Sequence, residues 1–234
     1  MRSLIVPILG ISTVVTFSIL LLLWEIRCRH HIHGLDEFEP RIIVTGTRGK
    51  SSTVRLVHAV LREGGRRPWG RVTGTVTEEI SPEGRQILLS RKGQTSIIEF
   101  LATISRARRE ASDCLICESM AVKPELIALS QQTFVRADIC VITNVRADHM
   151  EDEGLDLLEI ARSLAAIATG ARLVITADRD PEVVAVLRDR ATSSGARFLA
   201  VHGDLVDPGV LATLPGEFAD NVAIALAIAN ARTS

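Results

Sequence analysis

The sequence predicts an α/β domain, a mostly parallel sheet with helices on both faces, preceded by one N-terminal transmembrane helix. Three observations lead there. Short apolar runs alternate with helically spaced stretches through residues 41–234, the pattern of strands buried on both faces and connected by crossover helices. Three polar clusters, "GTRGKSST", "ESMAVKPE" and "NVRADHMEDEG", follow directly on such runs, and open parallel sheets place their ligand sites at those strand ends. Residues 4–24 carry no charged side chain.

The N-terminal stretch comes first. "LIVPILGISTVVTFSILLLLW" spans residues 4–24, and as a helix rising 1.5 Å per residue it would reach about 31 Å, the depth of a bilayer core. It is longer than a usual signal-peptide core, and "WEIRCRHHIHG" behind it has no small-x-small cleavage site, so residues 1–26 are expected to be a retained anchor in the bilayer. Arg27 and Arg29 follow the span, with His30, His31 and His33, whereas only Arg2 and the amino terminus precede it. That asymmetry places the main domain in the cytoplasm of a single-pass protein of the inner or plasma membrane. Residues 27–40 read as a connector, and 41–234 as the main domain.

Within that domain, "RIIVT" (41–45) reads as a buried strand and residues 50–63 as a helix carrying Val54, Val57 and Leu61 on one face. The Thr-, Val- and Gly-rich stretch 69–93, with a turn at "SPEG", reads as an irregular hairpin excursion. A helix over about 95–111 leads to the strand "CLICE", a loop and helix through "VKPELIALSQQT", and the strand "DICVITNV". The strands "ARLVIT" and "RFLAVH" flank the helix "DPEVVAVLRDRATSSG", and "DNVAIALAIANA" closes the chain as a helix.

Composition narrows the chemistry. Of 234 residues 47% are hydrophobic, enough for a real core, and 27 Lys+Arg balance 28 Asp+Glu. No charge excess points to nucleic acid, so a bound anion must be held locally. Lysine occurs only at 50, 92 and 123, which makes Lys50 conspicuous. Cys114 and Cys117 have CxxC spacing but no second pair, and read as buried structural thiols in a reducing compartment.

The first cluster is a short phosphate-loop pattern. Gly46 and Gly49 let backbone N–H groups approach phosphate oxygens, together with Thr47, Arg48, Ser51 and Ser52 at the start of a helix. Lys50 would neutralise the β and γ phosphates and Ser51 would offer a hydroxyl to Mg²⁺. The bland alternative is a strand-to-helix turn capped by Ser51 or Ser52. Glu118 and His149, taken singly, read as a surface acid and a solvated histidine. Taken with Ser51, they put hydroxyl, carboxylate and imidazole at three strand ends, a set suited to a divalent metal bridging triphosphate and acceptor.

These residues resemble the Mur ligase superfamily, which includes the peptidoglycan amino-acid ligases and folylpolyglutamate synthase. Gly46, Thr47, Gly49, Lys50 and Ser51 match its GT-x-GK-[ST] loop, Glu118 its strand-end glutamate, and Thr143, Asn144, Asp148 and His149 its TN-x-x-x-DH element. Asn221, opening an alanine-leucine helix, matches the asparagine that contacts adenine. Within the superfamily the sequence is most similar to the ATP-dependent ligase branch of poly-γ-glutamate synthases. The resemblance implies an ATP-dependent amide-forming ligase that extends poly-γ-glutamate, a capsule-type polymer, through an acyl phosphate. Lys50, Glu118 and His149 would be catalytic; Gly46 to Ser52, Asn144 and Asn221 would bind ATP; Ser51, Glu118 and His149 would hold Mg²⁺, or Mn²⁺ in its place.

Glutamate and the γ-glutamyl chain are the implied substrates, and other membrane subunits of a polyglutamate synthase the implied partners. Two departures accompany the match. The superfamily commonly uses a carbamylated lysine beyond the DH element, and no lysine follows Lys123. Members also continue into a C-terminal domain, whereas this sequence closes at "IANARTS", so an anchor plus ATPase domain is expected. A superfamily ligase with a folate or peptidoglycan acceptor, and a non-catalytic nucleotide-binding scaffold, are the alternatives.

Overall fold

The structure, a computed structural model, describes residues 2–74, 76–90, 96–147 and 156–231, with backbone alone at residues 2–13, 27–30 and 32. The chain divides into two compact units, Met1–Glu37 and Phe38–Ser234.

The first unit is one helix, α1 (Arg2–Leu35). It continues through residues 27–35, where a connector was expected. Its described apolar side chains between Val14 and Ile26 are all exposed. Among the described residues no helix is long and apolar enough to cross a membrane, so the expected transmembrane helix over 4–24 is not supported by the fold. The side chains of 4–13 lie outside the described residues.

The second unit is an eight-stranded sheet. In chain order it contains β1 (Arg41–Thr45), α2 (Lys50–Glu63), β2 (Pro68–Val72), β3 (Glu78–Ile80), β4 (Gln86–Leu88), α3 (Glu99–Arg109), β5 (Cys114–Glu118) and α4 (Pro124–Leu129). After a π-type turn at Ser130–Val135 come β6 (Ile139–Ile142), α5 (Leu157–Ala165), β7 (Leu173–Thr176), α6 (Pro181–Ser193), β8 (Arg197–Ala200), the short α7 (Pro208–Ala212) and α8 (Ala219–Asn230).

The strand order is β4-β3-β2-β5-β1-β6-β7-β8. Strands β2, β5, β1, β6, β7 and β8 run parallel, and β3 and β4 form an antiparallel edge. The mostly parallel α/β fold is therefore as expected. Successive residues of β1 point to opposite faces; Ile42, Ile43 and Val44 are all buried, so both faces of the central strand are covered. On one face Ile42 and Val44 pack with Val54, Val57 and Leu61 of α2 and Ile224 and Ile228 of α8. That shared core brings the first and last helices of the domain together behind β1.

The excursion at 69–93 is more regular than its sequence suggests. β2 lies inside the sheet beside β5, buried along its whole length. Its apolar pattern is interrupted by Arg71, which is only 1% exposed. Arg71 is held by ion pairs to Glu79 and Glu99 and donates to Thr103 Oγ1 at 2.6 Å. The buried cation is tolerable because its Nη1 and Nη2 are paired with carboxylates and a hydroxyl, although its Nε has no hydrogen-bond partner among the described residues.

Candidate functional site

β1 has β5 on one side and β6 on the other, and the chain leaves it through α2 to reach β2, beyond β5. The C-terminal ends of β1, β5 and β6 thus frame a crevice at a switch point of the sheet. The loop 46–49 sits there, and its geometry explains its glycines. Gly46 has φ +120°, and a Cβ on it would lie 2.2 Å from Thr143 Oγ1 and 2.8 Å from the Thr143 nitrogen. Gly49 has φ +84°, and a Cβ there would lie 2.8 Å from Asn221 Oδ1. A side chain at either place collides, and both conformations disfavour one.

The β6 end fixes this loop from behind. The Thr47 N–H donates to the Asn144 carbonyl at 2.9 Å. The Arg48 N–H donates to Asn144 Oδ1, and Asn144 Nδ2 donates back to the Arg48 carbonyl, both at 3.1 Å. Thr143 Oγ1 donates to the same carbonyl at 2.7 Å. Behind Asn144, the fully buried Asp178 at the end of β7 accepts from the Val145 N–H at 2.6 Å and from Arg146 Nη1 at 3.2 Å. Asp178 was not singled out in the sequence. The acid two residues past "LVIT" has only position to mark it.

In front of the loop lies a cleft of about 490 Å³, lined by Thr45–Ser52, Thr73, Gly74 and Glu118–Val122. Lys50 reaches back over the loop, its Nζ donating to the carbonyls of Gly46 at 2.5 Å and Thr47 at 3.2 Å. Glu118 is 3% exposed. Its Oε2 accepts from Ser51 Oγ and from the Thr73 N–H, each at 2.9 Å. The structure therefore brings together Gly46, Thr47, Arg48, Gly49, Lys50, Ser51, Ser52 and Glu118. Asn144 braces the loop from the rear, and Asn221 sits against Gly49 at the start of α8. His149 and Asp148 lie outside the described residues.

The donor set can be tested against what the sequence implied. Mg²⁺ takes oxygen ligands, usually one or two carboxylates with substrate phosphates and water, and Ser51 with Glu118 supplies a hydroxyl and a carboxylate at the loop. Among the described residues no group of three or more His, Cys, Asp or Glu is placed to hold a metal by itself. Asn221 is 4% exposed, and its Nδ2 has no hydrogen-bond partner among the described residues. A buried donor left so costs about 1–3 kcal/mol, which a ring-nitrogen acceptor would recover. The residues present fit both groups.

The cysteines do not join this chemistry. Among the described residues Cys114, Cys117 and Cys140 form no disulfide and are buried in strands β5 and β6. Burial pushes the Cys117 thiol up to about 12, with the Glu79 charge adding and Arg71 opposing. Burial also pushes the Cys140 thiol up. Both are protonated packing groups at neutral pH.

Fold and loop define the class first: a mostly parallel α/β domain with a glycine-hydroxyl loop at its switch point, faced by a buried carboxylate. The chain belongs to the Mur ligase family, whose Mur ligase middle domain matches residues 44–202. Among relatives, it is 30% identical to the capsule biosynthesis protein CapB of Bacillus anthracis over 96% of this chain and 48% of that protein. It is 29% identical to the PGA synthase CapB of Bacillus subtilis strain 168 over 93% of this chain and 56% of that one. It therefore spans about half the length of these relatives. Among solved structures it resembles a bifunctional folylpolyglutamate synthase/dihydrofolate synthase of Yersinia pestis complexed with AMPPNP and Mn ion. That match has TM-score 0.57 and 19% identity, covering 74% of this chain and 46% of the other. The Mycobacterium tuberculosis folylpolyglutamate synthase complexed with ADP and AMPPCP matches at TM-score 0.54 and 19% identity, over 70% and 43%. These likenesses establish the fold.

Proposed function

We propose that this chain is the ATP-binding part of an ATP-dependent ligase that lengthens poly-γ-glutamate by activating a carboxylate as an acyl phosphate. The observation that carries the reading is the cleft in which Lys50, Ser51 and the buried Glu118 converge on a glycine loop at the switch point. In this reading the loop amides and the Lys50 ammonium hold the triphosphate, Lys50 exchanging its two loop carbonyls for phosphate oxygens. Ser51 and Glu118, with His149, hold Mg²⁺ or Mn²⁺, which supplies charge neutralisation when bound. Asn144 keeps the loop in register, and Asn221 offers its unpaired amide to adenine.

No protein nucleophile is required. A carboxylate oxygen attacks the γ phosphorus, ADP leaves, and the amine of the incoming amino acid displaces phosphate from the acyl carbon. Positioning and electrostatic stabilisation carry such a transfer. The two capsule and PGA synthase relatives support glutamate and its γ-linked chain as substrates.

Attachment to the inner or plasma membrane through residues 4–24, with the domain cytoplasmic beside other synthase subunits, completes the proposal. Its support is the uncharged stretch itself and the exposed apolar side chains from Val14 to Ile26. To test the central reading, the protein is incubated with ATP, Mg²⁺ and glutamate or a γ-glutamyl oligomer. Glutamate-dependent phosphate release with a γ-linked product is expected. ATP binding without either would remove the ligase reading, and a Lys50→Ala variant that keeps wild-type ATP affinity would remove the loop assignment.

A further inference from the structure

One wall of the cleft belongs to a hairpin that is clamped on both of its faces. Thr73 and Gly74, which line the cleft, lie in the link between β2 and β3. The Thr73 N–H donates to Glu118 Oε2 at 2.9 Å, and a Cβ on Gly74 would stand 2.9 Å from Ser51 Oγ, so this link packs against both Ser51 and Glu118. Two adjacent acids of β3 hold it there, their side chains leaving opposite faces of the sheet. On one face Glu78 Oε1 accepts from Arg55 of α2, at 3.1 Å from Nε and 2.6 Å from Nη2. On the other, Glu79 lies directly across from Arg71 in the β2–β3 register. It accepts from two residues of α3, Thr103 Oγ1 at 2.6 Å and Arg106 Nε and Nη2 at 2.5 and 2.7 Å, while Arg71 itself reaches Glu99 of the same helix. The Arg71 and Glu79 side chains are 1% and 0% exposed, whereas those of Glu99 and Arg106 are each 30% exposed and keep access to water.

Such a network is a poor source of stability, since apolar residues of similar volume commonly serve as well or better in its place. What it fixes is direction: charge-assisted bonds to a guanidinium fork hold β2, β3 and α3 in one arrangement. We propose that Arg71 and Glu79 are positioning residues for the metal carboxylate: by locking the hairpin to α3 they keep the Thr73 amide on Glu118 Oε2 and so aim Glu118 at the divalent metal. The inference rests on the metal role given to Ser51 and Glu118 above and adds the groups that orient them. Partners of this kind, one step behind a ligand, tune metal affinity.

The test replaces the two buried members together, Arg71→Met with Glu79→Met, so that neither is left as an unpaired charge in the core. Thermal unfolding, ATP affinity in EDTA, and the Mg²⁺ concentration needed for full ATP affinity are measured. The melting temperature should hold or rise, and metal-free ATP affinity should not change, because the glycine loop and Lys50 are untouched. The Mg²⁺ requirement should rise about tenfold. Thr103→Val, which removes only the hydroxyl bridging Arg71 and Glu79, disturbs the fold least and should move the Mg²⁺ requirement the same way, by about threefold. An unchanged Mg²⁺ requirement in the variants overturns the positioning role and leaves the ligase reading intact. So does an equal loss of ATP affinity with and without metal, the mark of a merely structural part. A wild-type protein whose ATP binding does not depend on Mg²⁺ overturns the inference together with the metal role of Glu118.

Discussion

Replacing Gly46 by alanine is the sharpest probe of the loop. The new methyl would stand 2.2 Å from Thr143 Oγ1, 2.8 Å from the Thr143 nitrogen and 3.0 Å from the Asn144 carbonyl. Rotating Thr143 away relieves only the first contact and breaks its 2.7 Å hydrogen bond to the Arg48 carbonyl, at about 1 kcal/mol. The backbone contacts belong to the end of β6 and cannot turn aside. A side chain at positive φ adds about 1–2 kcal/mol. If the loop must hold this conformation to bind, a total of about 2–3 kcal/mol lowers ATP affinity by roughly 30- to 150-fold.

Gly65→Ala is the control. It too has a positive φ, +78°, with nothing within 4 Å of a built Cβ, and it lies just past α2, away from the cleft. It should cost about 1 kcal/mol of stability and leave ATP affinity unchanged. Nucleotide titration with thermal unfolding reads both effects. Gly46→Ala binding ATP within threefold of wild type would refute the argument that close packing against β6 shapes the loop.

Two other expectations follow from named groups. Glu118→Gln keeps an oxygen acceptor for Ser51 Oγ and the Thr73 N–H but removes the charge. The fold should persist while the Mg²⁺ concentration needed for ATP binding rises by at least the ~10-fold that loss of an outer-shell partner costs; an unchanged Mg²⁺ requirement would contradict the metal role. His58, buried in α2, has a pKa held below its ordinary 6.5 by burial, with the Arg62 charge adding and hydrogen bonds to the Ser81 and Pro68 carbonyls opposing. The unfolded chain then binds the proton more readily, so this stability is complete above about pH 6.5 and is lost as pH falls from there through the lower folded value. The melting temperature should decline over that window, and His58→Gln should flatten the decline; parallel profiles would exclude His58 as its source.

Much of this was legible in the sequence because local pattern and global fold agree. "RIIVT" is β1 and residues 50–63 are α2, since a continuous apolar run meets a glycine loop and then helical spacing. The cleft around Gly46–Ser52 and Glu118 could be anticipated because strand ends in a parallel sheet converge. Other parts were hidden for identifiable reasons. β2 escaped as a sheet strand because Arg71 interrupts its apolar run, and only the distant Glu79 and Glu99 make that burial tolerable. Helix α5 was not anticipated, although Asp156 caps it by accepting from the Glu159 N–H at 2.9 Å and Ile160, Ala161 and Leu164 bury one face. The role of Asp178 arises from juxtaposition across neighbouring strand ends, and no spacing within one segment reveals that. The transmembrane expectation rested on the uncharged length of 4–24 and the absence of a cleavage site behind it, and among the described residues, which leave out the side chains of 4–13, it is not supported.

The account stands most directly on where the phosphate goes. A γ-glutamyl oligomer labelled with ¹⁸O in its terminal carboxylate is supplied with ATP, Mg²⁺ and glutamate, and the released phosphate is analysed by mass. Passage through an acyl phosphate transfers one carboxylate oxygen to phosphate, so singly labelled phosphate should accumulate in step with the lengthened oligomer. Phosphate carrying no label, its added oxygen drawn from water, would mean that the cleft hydrolyses ATP without activating a carboxylate.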